Sequence, residues 1–257
     1  MLFQISGLPD VYTEGENRYK SRVMAEDFRY TFDEMVAKTK RAAPHFKPRA
    51  KKRAYYADIN FDLLGRIMEN AMNRPLRELY DLYIFEPLDL KNTYLPAGKL
   101  DFVPAIYDKN RAIFRPGFIM SSGASGGCVT TAREMMKFLK AFFNGALFDV
   151  SALHDLPSFR KLQASMMPIC YGSGYMRIPL NGGATLFAGR GELMGHAGST
   201  GSFAFYYPAR ELFIAGDLNQ MTNPALPVRL SMRIAMAAQQ SFGYADTAEE
   251  PLNKLRN

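Results

Sequence analysis

Apolar residues recur at helical spacing in three stretches of the chain. Between Phe61 and Met72 the pattern sets Phe61, Leu64, Ile67, Met68 and Ala71 on one side of a helix. Thr131 to Phe143 repeats it with Met135, Phe138, Leu139 and Phe142, and Thr130 or Thr131 stands ready as its N-cap. Pro224 to Phe242 is the third, carrying Leu230, Ile234, Ala237 and Ala238. Each stripe predicts a core-facing helix side, with the methionines filling gaps between larger side chains.

The period changes late in the chain. Ser202 to Tyr207 and Leu212 to Leu218 are β-rich runs separated by Pro208-Ala209-Arg210-Glu211, a loop of hairpin length. Leu193 to Ala197 precedes them through Gly198-Ser199-Thr200-Gly201, so three consecutive antiparallel strands are expected, covered by the last helix. Helices first and a meander last predict an α+β fold, not alternating β-α-β units. Without repeats or Gly/Ser linkers, the chain reads as one domain over 1–257. Within it, 1–180 is expected to be mainly helix and loop, and 181–245 to hold the strands and C-terminal helix.

Composition narrows the function classes. With 257 residues, 47% of them hydrophobic, the chain has material for a sizeable core. The net charge of +7 is concentrated: Lys38, Lys40, Arg41, Lys47, Arg49, Lys51, Lys52 and Arg53 stand in one stretch without an acid. A solvated basic loop, or an anion-attracting rim beside a cleft, fits this better than a nucleic-acid face. Cys128 and Cys170 have no metal-ligand spacing and read as two buried free thiols. No run reaches the roughly 18 apolar residues of a membrane span. The first ten residues lack signal-peptide features, which leaves the compartment open.

Three segments carry candidate chemistry. Tyr56-Ala57-Asp58 precedes the first predicted helix, where a tyrosine is either structural or reaches into a cleft. Gly195-His196-Ala197-Gly198-Ser199-Thr200-Gly201 is a strand end whose glycines admit another chain or a ligand to the backbone. Ser122 to Arg133 is a Gly-rich turn opening a helix, and it matches neither phosphate-binding pattern.

Taken in order, these segments resemble the class C β-lactamase and penicillin-binding-protein family of serine hydrolases. Leu2 to Asp10 is similar to the family's lead into "TSGLPD", and Tyr56-Ala57-Asp58 to its Y-x-N motif in a "YSDTNFxLLG" context. Glu86 to Thr93 is similar to "PLGMxxT", Gly126 to Glu134 to "GGLxSTAxD", and Gly195-His196-Ala197-Gly198 to the H-x-G variant of its K-T-G strand. The resemblance implies a β-lactamase/transpeptidase-like fold: an antiparallel sheet flanked by helices, plus a mainly helical subdomain.

It also implies acyl transfer through a serine ester, acting on a small-molecule ester, amide or peptide, without metal or organic cofactor. Tyr56 would relay protons, a role that needs nearby cations to stabilise a phenolate. Asp58, where the family more often has Asn, would orient a lysine or a substrate amide. His196 would stand for the lysine of K-T-G. The Ser199 N–H would supply one oxyanion donor, and Ala197 and Gly198 would line the substrate. Ala197 replaces the threonine that commonly meets a β-lactam carboxylate, which leans the expectation toward esters or peptides.

The family's S-x-x-K nucleophile belongs before the Leu2 to Asp10 block. The expectation is therefore a chain that begins after the nucleophile helix and two N-terminal strands, through a truncated reading frame, a deliberate fragment, or a pseudoenzyme completed by another chain. The first of these is preferred. Ser158-Phe159-Arg160-Lys161 is the only S-x-x-K present, and its place in the order marks it as coincidence. The rival expectation is a non-catalytic binding or scaffold module on the same fold.

Overall fold

The computed structural model describes residues 1–50, 54–154 and 159–241. Its helices are α1 (Tyr19–Ala25), α2 (Phe32–Arg41), α3 (Ile59–Met72), α4 (Leu76–Tyr80), α5 (Pro116–Ser121), α6 (Ala132–Phe143), α7 (Ser151–His154) and α8 (Leu226–Ser241), and a π-turn over Asp81–Phe85 follows α4. The strands are β1 (Ile106–Asp108), β2 (Arg111–Ile113), β3 (Arg160–Lys161), β4 (Cys170–Gly172), β5 (Tyr175–Pro179), β6 (Glu192–Ala197), β7 (Ser202–Tyr207) and β8 (Leu212–Asp217). β1 and β2 form a separate hairpin, and β3 to β8 form one six-stranded antiparallel meander in sequence order.

The three late strands thus stand where the alternation put them, as part of a sheet twice as wide. It begins near residue 160, not after 180. The additional hairpin turns at Ser173 and Gly174, both with positive φ (53° and 85°), which is the backbone a two-residue turn between twisted strands requires.

Helix ends follow local chemistry. Thr31 and Glu34 close a capping box on α2, and the Thr131 hydroxyl accepts from the Glu134 N–H at the start of α6; each cap stabilises its helix by about 1 kcal/mol. Glu134 is buried, and its carboxylate accepts from Asn92 N–H (3.0 Å), Asn92 Nδ2 (2.8 Å) and Thr93 Oγ1 (2.6 Å). This joins the Glu86 to Thr93 segment to the Gly-Gly helix.

The α3 stripe is corrected. Phe61 and Leu64 are half-buried, whereas Ile67 (51%), Met68 (41%) and Ala71 are exposed. The buried positions are Ile59, Asn60, Asp62 and Gly65. That side turns inward because its polar groups find partners there: Asn60 Nδ2 donates to Gln4 Oε1 (2.6 Å), and Asp62 Oδ1 accepts from Ser125 N–H (3.2 Å). The other two stripes face the core, apart from Ala237, which is exposed. Both cysteines are free, and neither is buried; Cys128 is exposed.

Two cores result. The sheet core gathers Tyr171, Ile178, Leu193, Phe205, Tyr207 and the α8 residues Met232 and Ala235. The helical core gathers Tyr12, Tyr19, Val23, Phe28, Met35 and Phe118. Residues 54–61 feed both: Ala54, Tyr56 and Phe61 pack on the sheet core, Ala57 and Ile59 on the helical one. Burying a large apolar side chain contributes about 1.5–3 kcal/mol, so each core ties this segment firmly.

Of the basic stretch, Lys40, Arg41, Lys47 and Arg49 are exposed. Lys51, Lys52 and Arg53 lie outside the described residues.

Candidate active site

Tyr56 and Asp58 stand in the turn before α3 and His196 stands at the end of β6, and the fold brings Tyr56 and His196 together. The turn is held by Gln4, which is fully buried with φ 53°. Its side-chain Oε1 accepts from the Ala57 N–H (3.0 Å), and its backbone oxygen accepts from the Tyr55 N–H (2.8 Å). The Tyr56 N–H donates to Gln163 Oε1 at 3.1 Å. On the other side, Gly195 (φ 152°) leaves the space that the Ala204 carbonyl of β7 fills, so any side chain there would collide with the neighbouring strand. The glycine therefore serves the approach of β7 rather than a ligand.

The Tyr56 hydroxyl lies 3.5 Å from His196 Nε2. Because His196 Nδ1 is 3.0 Å from the Ala197 carbonyl oxygen, which only accepts, the ring proton sits on Nδ1 and the Nε2 lone pair faces the phenol. Tyr171 completes a three-ring cluster, with centroids 5.6 Å from Tyr56 and 5.8 Å from His196. Burial lowers the imidazole to about 4, leaving the ring neutral near pH 7. A cation in the place of the K-T-G lysine is thus not what His196 supplies.

Tyr56 departs in the opposite direction from the phenolate expected of a base. Desolvation, followed by the nearby Asp58, Tyr171 and Asp10, holds its hydroxyl well above the usual phenol range. Asp58 is itself raised well above the carboxylate range by burial and then by Asp10 and Asp62. Asp62 is raised to about 7, chiefly by burial. Among the described residues, no ion pair reaches Asp10, Asp58 or Asp62.

Ser199 is drawn in by a residue that the motifs do not contain. The Tyr12 hydroxyl donates to Ser199 Oγ at 3.4 Å, and Tyr12 is raised to about 12 by burial. The Gly198 N–H is bonded to the Ser202 carbonyl (2.8 Å), whereas among the described residues the Ser199 N–H has no partner. Ala197 pairs with Phe203 and offers no hydroxyl. Asp10, Tyr12, Gln4 and Tyr171 are the site residues that sequence reasoning passed over. Asp10 lies in the block similar to "TSGLPD", and its carboxyl accepts from the Tyr12 N–H (3.3 Å) and the Thr13 hydroxyl (2.6 Å).

Ser158 lies outside the described residues. Among the described residues no group of three His, Cys, Asp or Glu side chains could hold a metal, and no helix is long and apolar enough to cross a membrane. The chemistry this arrangement offers is proton transfer along Asp58, Tyr56 and His196, with a free N–H donor nearby.

Residues 5–239 match the family described as Beta-lactamase. The chain is similar in structure to a D-stereospecific amidohydrolase from Streptomyces sp. (TM-score 0.66, 23% identity, 86% of this chain and 67% of that one). It is similar to a D-amino acid amidase from Ochrobactrum anthropi SV3 (TM-score 0.70, 20% identity, 93% and 70%). A penicillin binding protein from Bacillus halodurans also matches (TM-score 0.64, 16% identity, 92% and 70%). No curated protein sequence matches the chain.

Proposed function

We propose that this chain, which belongs to the β-lactamase family of serine hydrolases, carries the proton-relay and oxyanion side of an acyl-transfer site for small amides, esters or peptides. The observation that supports this best is the 3.5 Å approach of the Tyr56 hydroxyl to His196 Nε2, between segments 140 residues apart. In the proposed reaction a serine hydroxyl adds to the substrate carbonyl, and the resulting oxyanion accepts from the Ser199 N–H. As the serine oxygen adds, its proton passes to the Tyr56 oxygen while the phenol's own proton moves to the Nε2 lone pair of neutral His196; the two protons then move back, Tyr56 delivering one to the leaving group and His196 returning the other to Tyr56, with Asp58 beside the hydroxyl. Ala197 and Gly198 line the acyl group, and Ala197, lacking a hydroxyl, favours esters and amides over β-lactams. The amidases among the structural neighbours agree with an amide substrate.

Among the described residues the Tyr56 hydroxyl meets His196 Nε2 and no serine hydroxyl. We therefore propose that these 257 residues alone form no acyl-enzyme. Incubation with a fluorophosphonate probe should leave the chain unlabelled, and fusing a segment bearing S-x-x-K to it should confer labelling on the added serine. In the fused protein, Tyr56→Phe should lower turnover at least about tenfold. Stoichiometric labelling of the unfused chain, at Ser158 or elsewhere, would overturn the assignment.

A non-catalytic binding module is the second reading. It is favoured by one feature, the raised carboxyl groups of Asp10 and Asp58 near Tyr56, with no ion pair reaching either among the described residues. A fused protein that folds and stays unlabelled would select it.

A further inference from the structure

Three consecutive backbone N–H groups lead into α3, and side chains satisfy two of them. Tyr55 donates to the Gln4 backbone oxygen (2.8 Å) and Ala57 to Gln4 Oε1 (3.0 Å). Tyr56, between them, donates to Gln163 Oε1 at 3.1 Å. A main-chain donor withdrawn from water needs such an acceptor. Because the N–H only donates, the oxygen of the Gln163 amide and not its nitrogen faces Tyr56. Gln4 reaches this turn from the N-terminal segment, and Gln163 reaches it from the link between β3 and β4.

Gln163 is itself held on both sides. Leu162 and Ile169 are buried in the sheet core, and the Leu162 N–H donates to the Ile169 oxygen (3.1 Å). The Gln163 backbone oxygen accepts from the Met166 N–H (2.9 Å). The same hairpin carries Tyr171 on β4, fully buried, with its ring 5.6 Å from that of Tyr56 and its hydroxyl donating to the Gly174 oxygen (3.0 Å). The β3–β4 hairpin thus grips Tyr56 twice, at the main chain through Gln163 and at the ring through Tyr171. The phenol has little slack. At 3.5 Å from His196 Nε2 its hydroxyl stands at the outer limit of a hydrogen bond. A small rotation of the Tyr56 main chain, carried to the end of so long a side chain, takes the hydroxyl out of range.

We propose that Gln163 is a positioning residue of the acyl-transfer site: by accepting from the Tyr56 N–H it fixes the main chain from which the phenol is aimed at His196. The assignment rests on the reading of Tyr56 as the proton relay. Gln163 meets no reacting atom, and its effect passes through Tyr56. The Nε2 lone pair of the neutral imidazole faces the phenol, so the ¹⁵N resonance of that atom reports the aim directly.

The test compares the His196 Nε2 resonance at about pH 7 in the native chain and three variants. Tyr56→Phe removes the hydroxyl and gives the resonance of the ring without its donor. Gln163→Met keeps the length of the side chain without the amide oxygen, and should move the resonance most of the way to the Tyr56→Phe position. Gln163→Glu keeps an acceptor at the same reach and should restore the native position. The Tyr56 amide should exchange up to about tenfold faster in Gln163→Met, the loss of one hydrogen bond, and at the native rate in Gln163→Glu. A resonance that stays native in Gln163→Met while it moves in Tyr56→Phe would overturn the proposal. So would equal displacement in Gln163→Met and Gln163→Glu, the mark of packing alone. A resonance unmoved even in Tyr56→Phe would strike the relay itself and leave Gln163 nothing to position. If Gln163→Met fails to fold, hydrogen exchange of the native chain decides: the Tyr56 amide should be as protected as those of Tyr55 and Ala57, and an unprotected Tyr56 amide would refute the role.

Discussion

Tyr12 and Ser199 stand 187 residues apart in the chain and share a hydrogen bond of 3.4 Å. It fastens the loop after β6, with its unpartnered N–H, to the helical core from which Tyr12 projects. A neutral bond of this kind contributes about 0.5–1.5 kcal/mol. Tyr12→Phe should therefore lower stability by no more than about 1.5 kcal/mol, while hydrogen exchange at Ser199 and Thr200 speeds up. Unchanged exchange at both amides would show that the loop is held by its own turn.

His196 gives a direct spectroscopic prediction. Burial lowers its imidazole to about 4, so the ring should remain neutral, with the proton on Nδ1, from pH 8 down to about pH 5. The unfolded ring protonates near about 6.5. The stability it contributes is thus present above that value and lost as pH falls through about 4. Long-range ¹H–¹⁵N spectra across pH 4 to 8 would reveal either this or a normal titration.

Asp62 has the opposite sign. Its folded carboxyl is raised to about 7, against about 3.9 unfolded, so its contribution is complete below the unfolded value and lost as pH rises through about 7. Asn imitates the protonated form. Asp62→Asn should gain on the native chain by up to about 1.4 kcal/mol per pH unit between about pH 4 and 7, and then level off. Urea midpoints of both proteins over that range measure the difference, from which the His196 contribution cancels.

Glu134 holds three donors of the Asn92–Thr93 segment while lying at 5% exposure. Glu134→Ala strands them, and a loss of about 2–4 kcal/mol is expected from the buried groups left unpaired. Chemical denaturation would register it, and a loss under about 1 kcal/mol would mean that water replaces the carboxylate.

The residues legible in the sequence were those whose role is local. The Thr131 cap, the strands from Glu192 to Asp217 and the placement of Tyr56, Asp58 and His196 in short motifs all depend on near neighbours. What escaped depends on distant partners. The α3 stripe turned outward because Asn60 and Asp62 are satisfied by Gln4 and Ser125, and no periodicity reports a partner dozens of residues away. Tyr171 had a weak signal in Ser173-Gly174, a dipeptide turn between β-rich residues, whereas β3 spans only two residues and has none. The expected cation at His196 failed on burial, a property of the assembled cleft.

The segment 54–61 sends Ala54, Tyr56 and Phe61 into the sheet core and Ala57 and Ile59 into the helical core. Neither half can melt without pulling the shared segment out of the other, so thermal unfolding should be a single concerted event. Tyr56 sits on that shared stitch. The distance from its hydroxyl to His196 is accordingly a gauge of the whole molecule: loosening either core by mutation, anywhere in the chain, widens the same gap.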